Sequence, residues 1–168
     1  MAILTSQIVI DDLVATFGDS ISEVYEPYGL HTFTTTREQI IPILDYLYFH
    51  NQFRFQFLTD LCGVHYPDNA GKEFCVTYHL HTLLHNIRLR IKVYLPTENP
   101  TIPTVSKIFA SANWQERETF DFYGIIFEGH PQLKRILNVD EMDYFPLRKE
   151  YPLEDQTRRD KEDLYFGR

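Results

Sequence analysis

Long apolar runs are missing from this sequence. No stretch approaches the ~18 residues that a bilayer-crossing helix needs. The opening MAILTSQIVIDDL meets Asp11 and Asp12 before the apolar centre of a signal peptide could develop. The chain is therefore expected to be soluble and cytoplasmic. Cysteine is scarce as well: Cys62 and Cys75 are the only two, and each stands far from a second thiol, which writes neither a redox CxxC pair nor a zinc knuckle. They read as small buried residues in a reducing compartment. The seven glycines are scattered singly, so there is no GxGxxG and no P-loop to cradle a phosphate. Positive charge is short too. A formal net charge of -8 and a pI near 5.3 argue against nucleic acid as a partner.

What is present suffices for a folded domain. A chain of 168 residues buries roughly 70% of its unfolded surface without help from disulfides or metals. Ser6 is placed to cap a helix running to Phe17, with Ile8, Val9, Leu13, Val14 and Phe17 as its apolar stripe and Gly18 as its stop. ISEVYEP and LHTFTTT, on either side of Pro27 and Gly29, read as a hairpin. Helical spacing returns from Arg37 to Asn51, where Pro42 is tolerable only near the first turn. FRFQFLTDL, EFCVTYHLHTL and NIRLRIKVYLP then alternate with period two. A further helical region, TVSKIFA followed by NWQERETFDFY, precedes Gly124, which is placed as a helix C-terminal glycine. Helices and strands come in blocks, which favours an α+β fold: a mainly antiparallel sheet of four to five strands with helices packed on it.

Past Phe127 the character changes. Residues 138–168 carry nine acidic and six basic residues and two prolines, with few periodic apolar positions. The expectation is a core domain over residues 1–127 and an extended C-terminal segment over 128–168 that docks on partner subunits through aromatics such as Tyr144, Phe145, Tyr151, Tyr165 and Phe166.

Two constellations could carry chemistry. His79, His81 and His85 in HLHTLLH could offer imidazoles to a metal from one strand face, but no third and fourth ligand accompany them, and ordinary strand or turn histidines are the simpler reading. Glu116, Glu118 and Asp121 could join His130 as a general acid/base set. On one helix, however, Glu116 and Glu118 diverge by about 200°, while Arg117 and Asp121 are i,i+4 neighbours. Ion pairs that fix the helix and a partner suit that spacing better than a catalytic cleft, and no Ser or Cys nucleophile stands in a recognisable context.

ANWQERETFDFYGIIFEGHPQLKRIL, followed by FPLRKEYPLED, closely resembles the 30 kDa subunit family of respiratory NADH:quinone oxidoreductase, complex I. The residues that carry the resemblance are Trp114, Glu116, Arg117, Glu118, Asp121, Tyr123, Gly124, Gly129, His130, Pro131, Leu133, Arg135, Ile136 and Leu137, then Arg148, Lys149, Tyr151 and Pro152. Glu150 stands where the family more often has Asp, His65 where an Asp is common, and Met142 to Phe145 where Trp-x-Gly-His is common. The resemblance implies a non-catalytic subunit of the peripheral arm on the cytoplasmic side of the bacterial inner membrane. Such a subunit has no active site or cofactor of its own. It leans on the hydrogenase-like quinone-site subunit and the neighbouring iron-sulfur subunits, while FMN and the iron-sulfur clusters reside in partners. Trp114, Glu116, Arg117, Glu118, Asp121, Gly124, His130, Pro131, Arg135, Arg148, Lys149, Tyr151 and Pro152 would then be interface residues. The equivalent small subunit of a membrane-bound hydrogenase or of a ferredoxin- or deazaflavin-linked dehydrogenase shares these motifs. A free-standing acid/base hydrolase using Glu118 and His130 is the reading from another class.

Overall fold

The computed structural model describes residues 4–152. Helix α1 spans Ser6–Phe17. Its cap lies one residue earlier than the sequence suggests: Thr5, in an extended conformation, accepts the Ile8 amide on its hydroxyl, and Ser6 is already helical. Gly18, at φ 53°, ends the helix by donating its amide to the Val14 carbonyl. Strands β1 (Ser22–Tyr25) and β2 (His31–Thr35) form the expected hairpin around a single 3-10 turn at Pro27–Gly29. Helix α2 spans Ile40–Phe49. Its start three residues after Arg37 puts Pro42 in the first turn, where its missing amide breaks no helical bond.

Strands β3 (Phe57–His65), β4 (Phe74–Thr82) and β5 (Ile87–Leu95) follow. The first of them begins four residues later than the alternation of FRFQFLTDL suggests. Phe53 and Phe55 are buried, but from a turn in which Arg54 takes φ 48° and the Phe55 amide bonds to the Leu47 carbonyl at the end of α2. Two core aromatics separated by one exposed residue thus mimic a strand.

The five strands order as β1-β2-β5-β4-β3. Every neighbouring pair is antiparallel except β2 and β5, which run parallel from His31↔Leu89 to Thr35↔Val93. The architecture is α+β with a mixed, mainly antiparallel sheet. One face of the sheet presents Phe33, Leu61, Tyr78 and Ile91 in register, and these join Val9, Ile10 and Leu13 of α1 and Ile43, Leu44 and Leu47 of α2 in a single apolar cluster. All of these side chains are essentially inaccessible to water. At roughly 1.5–3 kcal/mol each, such burial is the main driving force of the fold.

Strands β6 (Thr101–Pro103) and β7 (Ile126–Glu128) form a short parallel ribbon, and helix α3 (Ala112–Tyr123) lies between them in sequence. The segment Thr104–Ala110, read as helical from its spacing, forms turns instead. Gly124 closes α3 in the left-handed conformation, φ 76°, as a C-terminal glycine should. Helix α3 packs against β3 at Gly63, where an added Cβ would stand 2.7 Å from Tyr123 Cδ2 and 2.9 Å from Thr119 Cγ2. The expected extended segment is described as far as Pro152, and its remainder, residues 153–168 with Tyr165 and Phe166, lies outside the described residues.

Gly63→Ala tests the closeness of α3 to the sheet. Overpacking at this contact should lower the unfolding free energy by about 1–3 kcal/mol in urea titration. An unchanged midpoint would mean that α3 has room to move.

Candidate functional site

The chemistry-bearing residues of α3 separate by helical phase. Glu116, Arg117 and Asp121 are buried, whereas Glu118 and Trp114 are exposed. Only one pair of the candidate acid/base set comes together: Glu116 Oε2 lies 3.8 Å from His130 Nε2, with both side chains fully buried. Glu116 also accepts the Val105 amide at 2.7 Å and the Thr104 hydroxyl, tying α3 to the turns that follow β6. His130 is occupied on both nitrogens. Its Nε2 faces the Asn113 carbonyl at 3.0 Å, which requires a proton there, while Nδ1 accepts the Gln132 amide at 3.0 Å. That pattern defines a neutral imidazole in one tautomer, with no free nitrogen for a substrate proton.

Asp121 has a different set of partners. Its Oδ1 accepts from Arg135 Nη1 at 2.8 Å and Asn138 Nδ2 at 3.0 Å, and its Oδ2 accepts the successive amides of Ile136, Leu137 and Asn138 at 3.0, 2.8 and 2.9 Å. Three consecutive amides converging on one anion form a nest. Arg135 extends the network by donating to the carbonyls of Asp121, Met142 and Tyr144. The Met142 to Phe145 stretch, which departs from the family pattern, thus meets Arg135 through main-chain carbonyls that any side chain provides.

Arg117 corrects the i,i+4 pairing with Asp121. Its guanidinium donates instead to the carbonyls of Lys134 and Arg135, and stacks 5.0 Å over the ring of exposed Trp114. Arg148 donates to the Tyr123 carbonyl at 2.7 Å and lies between the Phe74 and Phe145 rings, at 4.9 and 4.7 Å. Gly124 is what lets it approach, since a Cβ there would fall 2.5 Å from Phe145 Cε2 and 2.6 Å from Arg148 Nη2. The main-chain amide of Lys149 donates to His65 Nδ1 at 2.9 Å, and Glu150 Oε2 lies 3.5 Å from the same nitrogen. His65 and Glu150, both departures from the family pattern, therefore meet each other. Tyr151 sits 5.0 Å from Tyr144, ring to ring. Pro131 and Pro152 are exposed.

These contacts fasten residues 130–151, which contain no helix or strand, onto α3 and the edge of the sheet. Sequence reasoning named the anchors Glu116, Asp121, Arg117 and Arg135 but missed their partners Thr104, Asn113 and Asn138 and the nest amides. Main-chain donors leave no residue signature, and only Thr104 and Asn138 take part through side chains that could have been suspected.

Elsewhere the described residues offer no activated group. His79 Nε2 accepts from Arg90 Nε at 2.9 Å, His81 Nε2 faces Asn86 Oδ1 and His85 Nε2 faces the Gln52 carbonyl. No group of three or more potential metal ligands converges among the described residues. Burial, reinforced by the Asp60 charge, pushes the Cys62 thiol up to about 11, and burial raises Cys75 as well, the reverse of what a nucleophile needs.

The two buried acids of α3 respond to pH in opposite ways. Burial pushes Glu116 up to about 7, and its two hydrogen bonds offset only part of that. Its folded state therefore holds a proton that the unfolded chain has lost, so this group stabilises most below the unfolded value near 4.5 and its contribution fades as pH rises through 7. For Asp121 burial also works against the charge, but the Asn138 and Leu137 amides and Arg135 outweigh it and hold the carboxyl well below the usual range. Its stabilisation is present above the unfolded value and disappears as pH falls through the folded one. Glu116→Gln, which mimics the protonated acid, should abolish the alkaline loss. Relative to the parent, the variant should gain about 3 kcal/mol between pH 4.5 and pH 8 in urea unfolding. A difference independent of pH would show that Glu116 stays charged.

The model of the family described as respiratory-chain NADH dehydrogenase, 30 Kd subunit, matches residues 33–157. The chain is 40% identical over 150 residues to the C subunit of the NADH-quinone oxidoreductase of a Nocardioides species, covering 86% of this chain and 60% of that protein. It is 41% identical over 142 residues to the second C subunit of the NADH-quinone oxidoreductase of Rhizobium meliloti, covering 84% of this chain and 76% of the relative. Among solved structures, the trypsin-resistant fragment (1–134) of Nqo5 superposes with a TM-score of 0.64 at 31% identity, over 76% of this chain and 98% of the fragment. A match of this length, at this identity and on this fold, means that the chain belongs to the 30 Kd subunit family of respiratory-chain NADH dehydrogenase.

Proposed function

We propose that this chain is a non-catalytic, structural subunit of the peripheral arm of an NADH:quinone oxidoreductase. The observation that carries the reading is the fate of the buried polar residues of α3. Glu116, Arg117, Asp121 and His130 are all committed to hydrogen bonds within the chain, and those bonds fasten an irregular segment rather than line a cleft. A proton donor or acceptor for catalysis has to be free to meet a substrate, and these are not. Around them the surface carries Trp114, Leu137, Val139, Tyr144 and Tyr151, all exposed. Aromatic and apolar side chains held on a rigid support are what the centre of a protein interface requires.

In this proposal the pinned segment presents that surface to the hydrogenase-like quinone-site subunit and to neighbouring iron-sulfur subunits. FMN and the iron-sulfur clusters reside in the partners, and electrons pass from NADH to quinone without crossing this chain. No helix among the described residues is long and apolar enough to cross a membrane, so attachment to the cytoplasmic side of the inner membrane would come through the assembly.

Purification of the tagged full chain from its own cells in mild detergent, followed by subunit identification and assay, tests the reading. The expected result is co-purification with the quinone-site, flavin and iron-sulfur subunits, with NADH:quinone reductase activity in that fraction and none in the isolated chain. Turnover by the isolated chain, or co-purification with hydrogenase subunits in place of NADH-oxidising ones, would overturn it.

A further inference from the structure

The helices cover one face of the five-stranded sheet, and the opposite face is lined by polar side chains. Along β5, alternation points Arg88, Arg90 and Lys92 toward that face while Leu89, Ile91 and Val93 enter the core. Three cations therefore stand in line over roughly 13 Å. Register sets Arg88 beside His81, Arg90 beside His79 and Thr32, and Lys92 beside Thr77 and Thr34. Among the described residues none of the three has a carboxylate oxygen within 4.0 Å. Neutral groups hold two of them in place: Arg90 donates to His79 Nε2, and Lys92 donates to the Tyr25 hydroxyl at 2.8 Å. The acids on this face are engaged elsewhere, Asp60 beside His79 Nδ1 at 3.5 Å and Glu23 with the Thr34 hydroxyl and Lys72.

Next to Arg88, at the β4–β5 hairpin, lies a cleft of about 530 Å³ lined by Arg54, Gln56, Phe57, His81, Leu83 and Leu84. Leu83 and Leu84 are 71% and 68% exposed. A line of uncompensated cations leading to an open apolar cleft is not what the solvent face of a chain with net charge -8 requires.

We propose that this face is a docking surface for an acidic segment of another polypeptide of the same assembly. Carboxylates of that segment would lie along Arg88, Arg90 and Lys92, and apolar side chains next to them would enter the cleft. The inference rests on the subunit role proposed above. Charge complementarity selects the occupant: nucleic acid or an anionic bilayer would meet the repulsion of the whole acidic chain, whereas a short acidic segment meets only the stripe. The cleft adds apolar contact at Phe57, Leu83 and Leu84, which a polypeptide segment supplies from its own side chains.

The test places the photoreactive residue p-benzoylphenylalanine at Leu83 of the full chain in its own cells and maps the cross-linked peptide by mass spectrometry, with and without Arg88→Glu/Lys92→Glu. The expected product joins Leu83 to another subunit at a peptide of net negative charge. The double variant should keep its circular dichroism and Tm yet cut this product at least about tenfold. Exchanging two acids of that peptide for lysine should restore it. A neutral or basic peptide, a second copy of this chain, a link within the chain, no product, or a yield unchanged by the double variant would overturn the inference. Binding of the parent, but not the variant, to phosphatidylglycerol vesicles or to a single-stranded RNA oligonucleotide would overturn it in favour of that ligand. Co-purification of subunits distinguishes the two levels: if the parent chain co-purifies with none, the subunit role fails, and if it does so while the stripe is indifferent, only this inference fails.

Discussion

The Asp121 carboxylate accepts five hydrogen bonds, four of them from residues 136–138 and the fifth from Arg135. A charge this deeply buried is costly unless its lone pairs are satisfied and a counter-ion is close. Both conditions are met, and the donors all come from a stretch that has no helical or strand bonds of its own. The chain from 130 to 151 therefore takes its path from α3 rather than from any internal regularity. Loss of one partner from such a pair costs about 3–5 kcal/mol, against about 0–1 for an exposed pair. By that scale Asp121 and Arg135 outweigh the exposed contacts around them, such as the partly exposed Arg148–Glu150 pair at 4.0 Å.

Glu116 stands five positions earlier on the same helix, equally buried, and receives only two donors. The difference in donor number explains why burial lifts the Glu116 carboxyl while Asp121 is held low. One acid acts as a buried anion and the other as a polar group near its titration point. Neither is presented to a substrate, and together they connect α3 to the turns after β6 on one side and to the segment after β7 on the other. Such a helix is a rigid clamp, which supports the structural role proposed above.

The apolar framework was legible where periodicity reports burial directly: the extent of α1, the alternation of β5 and Gly124 at the end of α3 all appear where the spacing puts them, although the buried face of α1 is Val9, Ile10 and Leu13, with Ile8 and Val14 of the expected stripe exposed. It misled where burial came without the matching backbone, at Phe53 and Phe55, whose turn mimics alternation, and at Thr104–Ala110, where turns tied to Glu116 replace a helix. The parallel pairing of β2 with β5 had no local signal, since it joins strands more than fifty residues apart. At the site, residue types on α3 could be sorted by helical phase, yet the phase could not reveal that Asp121 turns to a main-chain nest instead of to Arg117. Amides carry no identity in the sequence. The stripe on β5 was visible as letters, but its meaning depends on the helices occupying the other face, which only the tertiary structure shows.

Amide hydrogen exchange at Ile136, Leu137 and Asn138 in the full chain tests the dependence on Asp121 most directly. These amides lie outside helix and strand, so protection there has to come from the carboxylate. They should exchange as slowly as amides in the middle of α3. Asp121→Asn, which leaves a single neutral acceptor, should accelerate all three together by at least about a hundredfold, the equivalent of ~3 kcal/mol. Exchange near the rate of an unstructured peptide in the parent chain, or protection unchanged by the substitution, would contradict the account.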